Sequence, residues 1–122
     1  MAAQAFLEFR TKPISTNALY RSFARGSRVT AIKSAAYRKF TEEAGAELLA
    51  QRPGSVPGAY GIKIILQKGC RLDIDNSVKA WLDLLAAHGV TENDRNCVDL
   101  HVRRGTHEVT QIWIISTREI EQ

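Results

Sequence analysis

Two aspartates one residue apart, Asp73 and Asp75, stand directly ahead of a run with helical spacing, and Asn76, Lys79 and Asp83 follow in register. At about 100° per residue, Asn76, Lys79 and Asp83 share one face of the expected helix. Val78, Trp81, Leu82 and Leu85 make the opposite, apolar face. Neighbouring carboxylates repel when ionised, and burial raises their proton affinity further. A divalent cation relieves both problems. Magnesium or manganese suits such hard oxygen ligands, with waters and a substrate phosphate completing the shell. The ion would activate water and stabilise charge on a phosphoryl oxygen. Lys79 is then the candidate for contacting the scissile phosphate. Asp94, Glu92 and Asp99 are further acidic candidates, but spacing alone does not bring their loop back to Asp73 and Asp75.

The same residues also have a purely structural reading. Asp75 would suit a helix N-cap, worth about 1 kcal/mol. Asp75 and Lys79, four residues apart, would suit a surface ion pair. Asp83 would then be a solvated helix residue. A bare Asp-x-Asp does not decide between the two.

The elements that must position these groups follow from periodicity and breakers. A first strand is expected at residues 5–9, closed by Pro13. Residues 11–29 read as a long loop, uncommon unless it has a task. Arginines there would supply phosphate contacts, and Tyr20 and Phe23 would stack or pack. Thr30 is the expected N-cap of a helix running to about residue 50, with Tyr37, Phe40, Ala44 and Leu48 as its apolar stripe. After a Pro- and Gly-rich turn, residues 60–67 read as a buried strand. The second helix is expected over residues 76–87, stopped by Gly89, with His88 near its end suiting the helix dipole. Val98, Leu100 and Val102 alternate with polar residues as a half-buried strand. A hairpin turn at Gly105 then leads into a last strand at residues 109–116. The order β-α-β-α-β-β implies an α/β fold, a single domain over 1–122 with a mixed four-stranded sheet and two helices.

Bulk properties fit that reading. The 122 residues suffice for one domain that buries roughly two-thirds of its unfolded surface. There is no apolar run of about 18 residues and no basic-then-apolar N-terminus, so neither a membrane span nor a secretory signal is expected. Cys70 and Cys97 form no close metal-type pair, so reduced thiols in a cytoplasmic protein are expected. Charge is strongly partitioned. Residues 9–41 hold Arg10, Lys12, Arg21, Arg25, Arg28, Lys33, Arg38 and Lys39 and no acid, while all 13 acidic residues lie elsewhere. This suggests a polyanion-binding region beside an acidic centre.

The run from Asp73 to Asp83, then Gly89-Val90-Thr91-Glu92-Asn93-Asp94 leading into a strand, resembles the RusA-type Holliday junction resolvases. That family carries a D-x-D-N-x-x-K-x-x-x-D pattern and, further on, a Gly-hydrophobic-x-x-Asp-Asp segment. Pro13, Ser15, Asn17 and Tyr20 match its N-terminal element. The resemblance covers nearly the whole chain. It implies a homodimeric, magnesium-dependent endodeoxyribonuclease that resolves four-way DNA junctions by paired nicks. Asp73, Asp75 and Asp94 would be metal ligands and Lys79 the catalytic lysine, supported by Asn76, Asp83 and Asn93. Arg10, Lys12, Asn17, Tyr20, Arg21, Arg25, Arg28 and Arg71 would bind DNA. Asn93 departs from the pattern, standing where the family commonly has a first aspartate. Leu72 also departs, at a position that can be basic, with Arg71 expected to supply the charge. The alternative is a branched-DNA-binding protein that does not cleave. A small-molecule phosphotransferase fits less well, since the chain has no Gly-rich phosphate loop.

Overall fold

A computed structural model describes residues 3–25 and 28–117, with the backbone alone over 21–31. The elements run β1 (Gln4–Phe9), a 3-10 turn (Thr16–Ala18), β2 (Tyr20–Arg25), β3 (Arg28–Lys33), α1 (Ala35–Gln51), β4 (Tyr60–Leu66), a 3-10 turn (Ile74–Ser77), α2 (Lys79–Ala87), a 3-10 turn (Asp94–Asn96), β5 (Cys97–Arg104) and β6 (Thr110–Ser116). The expected mixed four-stranded sheet with two helices is present, in spatial order β1-β6-β4-β5. β1 and β4 both pair antiparallel with β6, and β4 pairs parallel with β5. A parallel pair needs a crossover, and the segment carrying α2 supplies it.

The core lies between the helices and one face of the sheet. Trp81 of α2 is fully buried, with Phe9 of β1 at 4.7 Å and Phe40 of α1 at 4.9 Å between ring centroids. Tyr37, Phe40, Ala44 and Leu48 form the buried stripe of α1, as their spacing predicts. On α2, Leu84 joins Trp81 and Leu85 in the core, while Leu82 is only half-buried.

Four local expectations are corrected. Residues 11–29 are not one loop: β2 and β3 form a separate antiparallel hairpin. Thr30 therefore lies inside β3, and Ser34 caps α1 instead, its hydroxyl accepting from the Tyr37 N–H at 3.0 Å. The second helix begins at Lys79 rather than Asn76, because residues 74–77 take the tighter 3-10 form. Gly105 is not a hairpin turn, since β4 lies between β5 and β6. The chain there crosses the end of β4. The Gly105 N–H donates to the Leu66 carbonyl at 2.9 Å, and a Cβ at this position would overlap the Ile65 side chain.

Candidate active site

Lys79, the first residue of α2, is the hub. Its ammonium donates to Asp94 Oδ2 at 2.6 Å and lies 3.0 Å from Asp83 Oδ1. Asp83 is one turn along α2, which the i, i+4 spacing provides. Asp94 arrives from the 3-10 turn beyond the helix. Asn93 caps that turn, its side-chain oxygen accepting from the Arg95 N–H at 2.9 Å. The second oxygen of Asp83 accepts from the Tyr37 hydroxyl at 3.3 Å. Tyr20 packs edge-on to Tyr37 with centroids 5.8 Å apart, and the Lys33 ammonium sits 5.2 Å from the Tyr37 ring centre. Tyr20, Lys33, Tyr37, Lys79, Asp83 and Asp94 line one open pocket. The base of the β2–β3 hairpin therefore meets the acidic segment.

This electrostatic arrangement shifts three groups. The hydrogen bonds to Asp94 and Asp83 raise Lys79 above its ordinary range. Lys79 in turn holds the Asp94 carboxyl below its usual range. Burial, then the Asp83 charge, pushes the Tyr37 hydroxyl up to about 12. Tyr37 thus stays a hydrogen-bond donor across the working pH range.

Asp73 and Asp75 precede Lys79 in the chain, and both are exposed. Asp73 occupies the N-cap position of its 3-10 turn, yet its side chain makes no capping bond. Asp75 lies inside that turn, so it caps no helix, and Lys79 pairs with Asp83 and Asp94 rather than with Asp75. Asp75 and Lys79 line a second groove with Ile74, Val78, Leu82 and Leu100. Asn76 takes part through its backbone carbonyl, which accepts from the Thr16 hydroxyl at 3.2 Å.

The three expected magnesium ligands, Asp73, Asp75 and Asp94, are not gathered into one cluster. Among the described residues, no three His, Cys, Asp or Glu side chains converge to hold an ion. Asp94 is bound to Lys79, and Asp75 lines a different groove from Asp83 and Asp94. Of the three expected ligands, Asp94 is the one that the Lys79 ammonium pairs with.

The expected DNA contacts divide between two places. Tyr20 belongs to the Asp83–Asp94 pocket, and Asn17 is exposed on the adjoining 3-10 turn. Lys12 and Arg71 share a separate cleft with Lys68, a residue outside the expected set despite its Lys-Gly turn. Arg10 is exposed, and its N–H donates to Glu47 at 2.6 Å. The side chains of Arg21, Arg25 and Arg28 lie outside the described residues. Arg104 was not expected at the site either. Its guanidinium donates to the carbonyls of Cys70 at 2.6 Å and Leu72 at 2.8 Å, tying down the segment that delivers Asp73. Both partners are carbonyls, which no side-chain pattern reveals.

Comparison of the chain with protein-family models and with curated proteins gives no match. Among the described residues no helix is long and apolar enough to cross a membrane.

Proposed function

We propose that the protein is a structure-selective endodeoxyribonuclease acting on four-way DNA junctions in the cytoplasm, a homodimer related in design to the RusA-type resolvases. The observation that carries the reading is the meeting of two segments at Lys79. The basic N-terminal segment, through Tyr20 and Lys33, reaches the pocket where Asp83 and Asp94 clasp Lys79, and Asp75 flanks the same lysine. A site that cuts a phosphodiester needs cationic groups to receive the polyanion beside acidic groups for the chemistry.

In this reading Lys79 is a catalytic residue that faces the scissile phosphate. Asp94 and Asp83 hold its ammonium charged and aimed. Asp73 and Asp75 complete the acidic set, and Arg104 is a positioning residue for their segment. Magnesium or manganese is the expected cofactor, and its requirement stands as a prediction because the carboxylates form no ready cage. Lys12, Lys68 and Arg71 hold the phosphate backbone of one junction arm.

A second reading, a branched-DNA-binding protein without cleavage, has its own support. Asn93 serves as an uncharged cap, and Asp94 is committed to Lys79. Incubation with a labelled four-way junction and magnesium separates the two. Paired nicks support the nuclease; a stable shifted complex without product supports the binding protein.

A further inference from the structure

The helices pack on one face of the sheet, where Leu7, Phe9, Ile62, Ile64, Ile112 and Ile114 are buried. The residues that alternate with these point to the other face. Strand pairing aligns them in rows. One row runs Phe6, Trp113, Lys63, His101, from β1 through β6 and β4 to β5. All four are exposed, Phe6 by 44% and Trp113 by 38%. The described residues therefore leave this row open across the whole sheet.

Exposed apolar residues scattered singly need no explanation, but these are not scattered. The Phe6 and Trp113 rings touch, with centroids 4.6 Å apart, and the Lys63 ammonium lies 5.8 Å from the centre of the Trp113 ring. A cross-strand aromatic pair steadies β1 on β6, yet that role requires neither open rings nor a cation beside them. The acids of this face, Glu8 and Asp99, stand in the flanking rows, and each has a neighbour. Glu8 accepts from the Gln111 amide at 3.2 Å, and Asp99 lies 3.2 Å from His101 Nε2. Arg103, two residues along β5 from His101, shares the face. Neither Lys63 nor Arg103 makes an ion pair among the described residues. The face thus joins open aromatic surface to two cations that lack a carboxylate partner.

We propose that this open sheet face binds single-stranded nucleic acid. Unpaired bases stack on Trp113 and Phe6, and the phosphates that link them reach Lys63 and Arg103. The flexible stem of Lys63 lets its ammonium leave the ring for a phosphate. With strands about 4.8 Å apart, the row is about 14 Å long. That suits the two or three bases that four-stranded sheets with exposed aromatics stack. Every base has a π-face, so such stacking tolerates any sequence. A duplex keeps its bases within its own stack and offers these rings nothing. The face lies across the sheet from α2 and Lys79, so the proposal does not rest on the nuclease reading.

The chain has two tryptophans. Trp81 is fully buried and Trp113 is exposed, so quenching of tryptophan emission reports on this face. Titration of the full chain with end-labelled oligothymidylate, read by anisotropy and by tryptophan emission, tests the proposal. Saturable binding with quenching is expected, and the duplex with oligoadenylate should leave the emission unquenched. Trp113→Ala, checked for folding by circular dichroism, should weaken binding about tenfold. Trp113→Phe should keep the binding and lose the quenching. Lys63→Gln should lower the slope of log affinity against log salt by about 0.7. Should Trp113→Ala fail to fold, these last two variants carry the test. Absence of oligothymidylate binding overturns the proposal, as does binding that the Trp113 and Lys63 variants leave unchanged, or equal quenching by duplex and single strand. A dimer that forms without oligonucleotide and is split by Trp113→Ala also overturns it, since the face would then belong to a second copy.

Discussion

Lys79 carries more of the site than any other side chain, because Asp83 and Asp94 both close on its ammonium. Lys79→Ala is expected to lower junction turnover at least a hundredfold while the dissociation constant changes only a few-fold. Single-turnover kinetics beside a binding titration separates the two. The stability cost should stay at or below about 1 kcal/mol, as for other half-exposed ion pairs. The pH dependence has a definite sign. Asp94 is held below its ordinary 3.8, so its contribution is complete above that value and fades as pH falls through the depressed one. Lys79 is raised above its ordinary 10.5, so its contribution is complete below that value and fades only as pH climbs past it. The pair should therefore add a constant increment between about pH 5 and pH 9. Denaturant unfolding of wild type and Lys79→Ala across that range checks this. Asp73→Ala and Asp75→Ala are expected to abolish cutting and leave junction binding intact, since both side chains are exposed and cap no helix. Failure of either folded variant to bind would contradict separate roles. The shared face of Lys79 and Asp83 was legible in the helical periodicity, although the i, i+4 partner expected for Lys79 was Asp75 and the structure pairs it with Asp83. The Lys79–Asp94 pairing was not, because it depends on how the loop after α2 returns.

At the level of elements, the sequence revealed most where periodicity was strong and least where short polar segments compete. The apolar stripe of α1 and the buried run of β4 stand as read. The β2–β3 hairpin was missed because its polar and apolar residues do not alternate cleanly. The Gly26-Ser27 dipeptide between the strands was the available turn signal. That error moved the expected cap from Ser34 to Thr30. Ser34 joins two elements: its hydroxyl caps α1, and its N–H donates to the Leu19 carbonyl at 2.9 Å at the base of the hairpin. Ser34→Ala is expected to cost about 1–2 kcal/mol, read from the urea midpoint. Glu47 ties α1 to the chain after β1, accepting from the N–H groups of Arg10 at 2.6 Å and Thr11 at 2.9 Å and from the Thr11 hydroxyl. Burial opposes its charge, but these donors win and hold its carboxyl below the ordinary 4.5. Its contribution is therefore present above pH 4.5 and fades as pH falls below it.

For the molecule as a whole, the described residues of the basic N-terminal segment contribute to two places rather than to one face. Lys12, Lys68 and Arg71 gather at one cleft, and Tyr20 and Lys33 lean over the Asp83–Asp94 pocket. If the cleft grips a DNA arm, replacing Lys12 and Arg71 by Ala should flatten the salt dependence of junction binding. The log–log slope should fall by about 1 for each phosphate that a chain no longer neutralises. The order of the sheet strands was beyond the sequence, since the pattern of β5 and β6 suits a hairpin as well as a pair flanking β4. The central claim is that the groups around Lys79 cut DNA. The most direct measurement maps product ends on both strands of a mobile four-way junction while magnesium or manganese is titrated, with Asp75→Asn as control. The predicted result is a pair of symmetrically placed nicks that need the metal and vanish in Asp75→Asn. Tight junction binding with no product at any metal concentration, or cutting that survives Asp75→Asn, would contradict it.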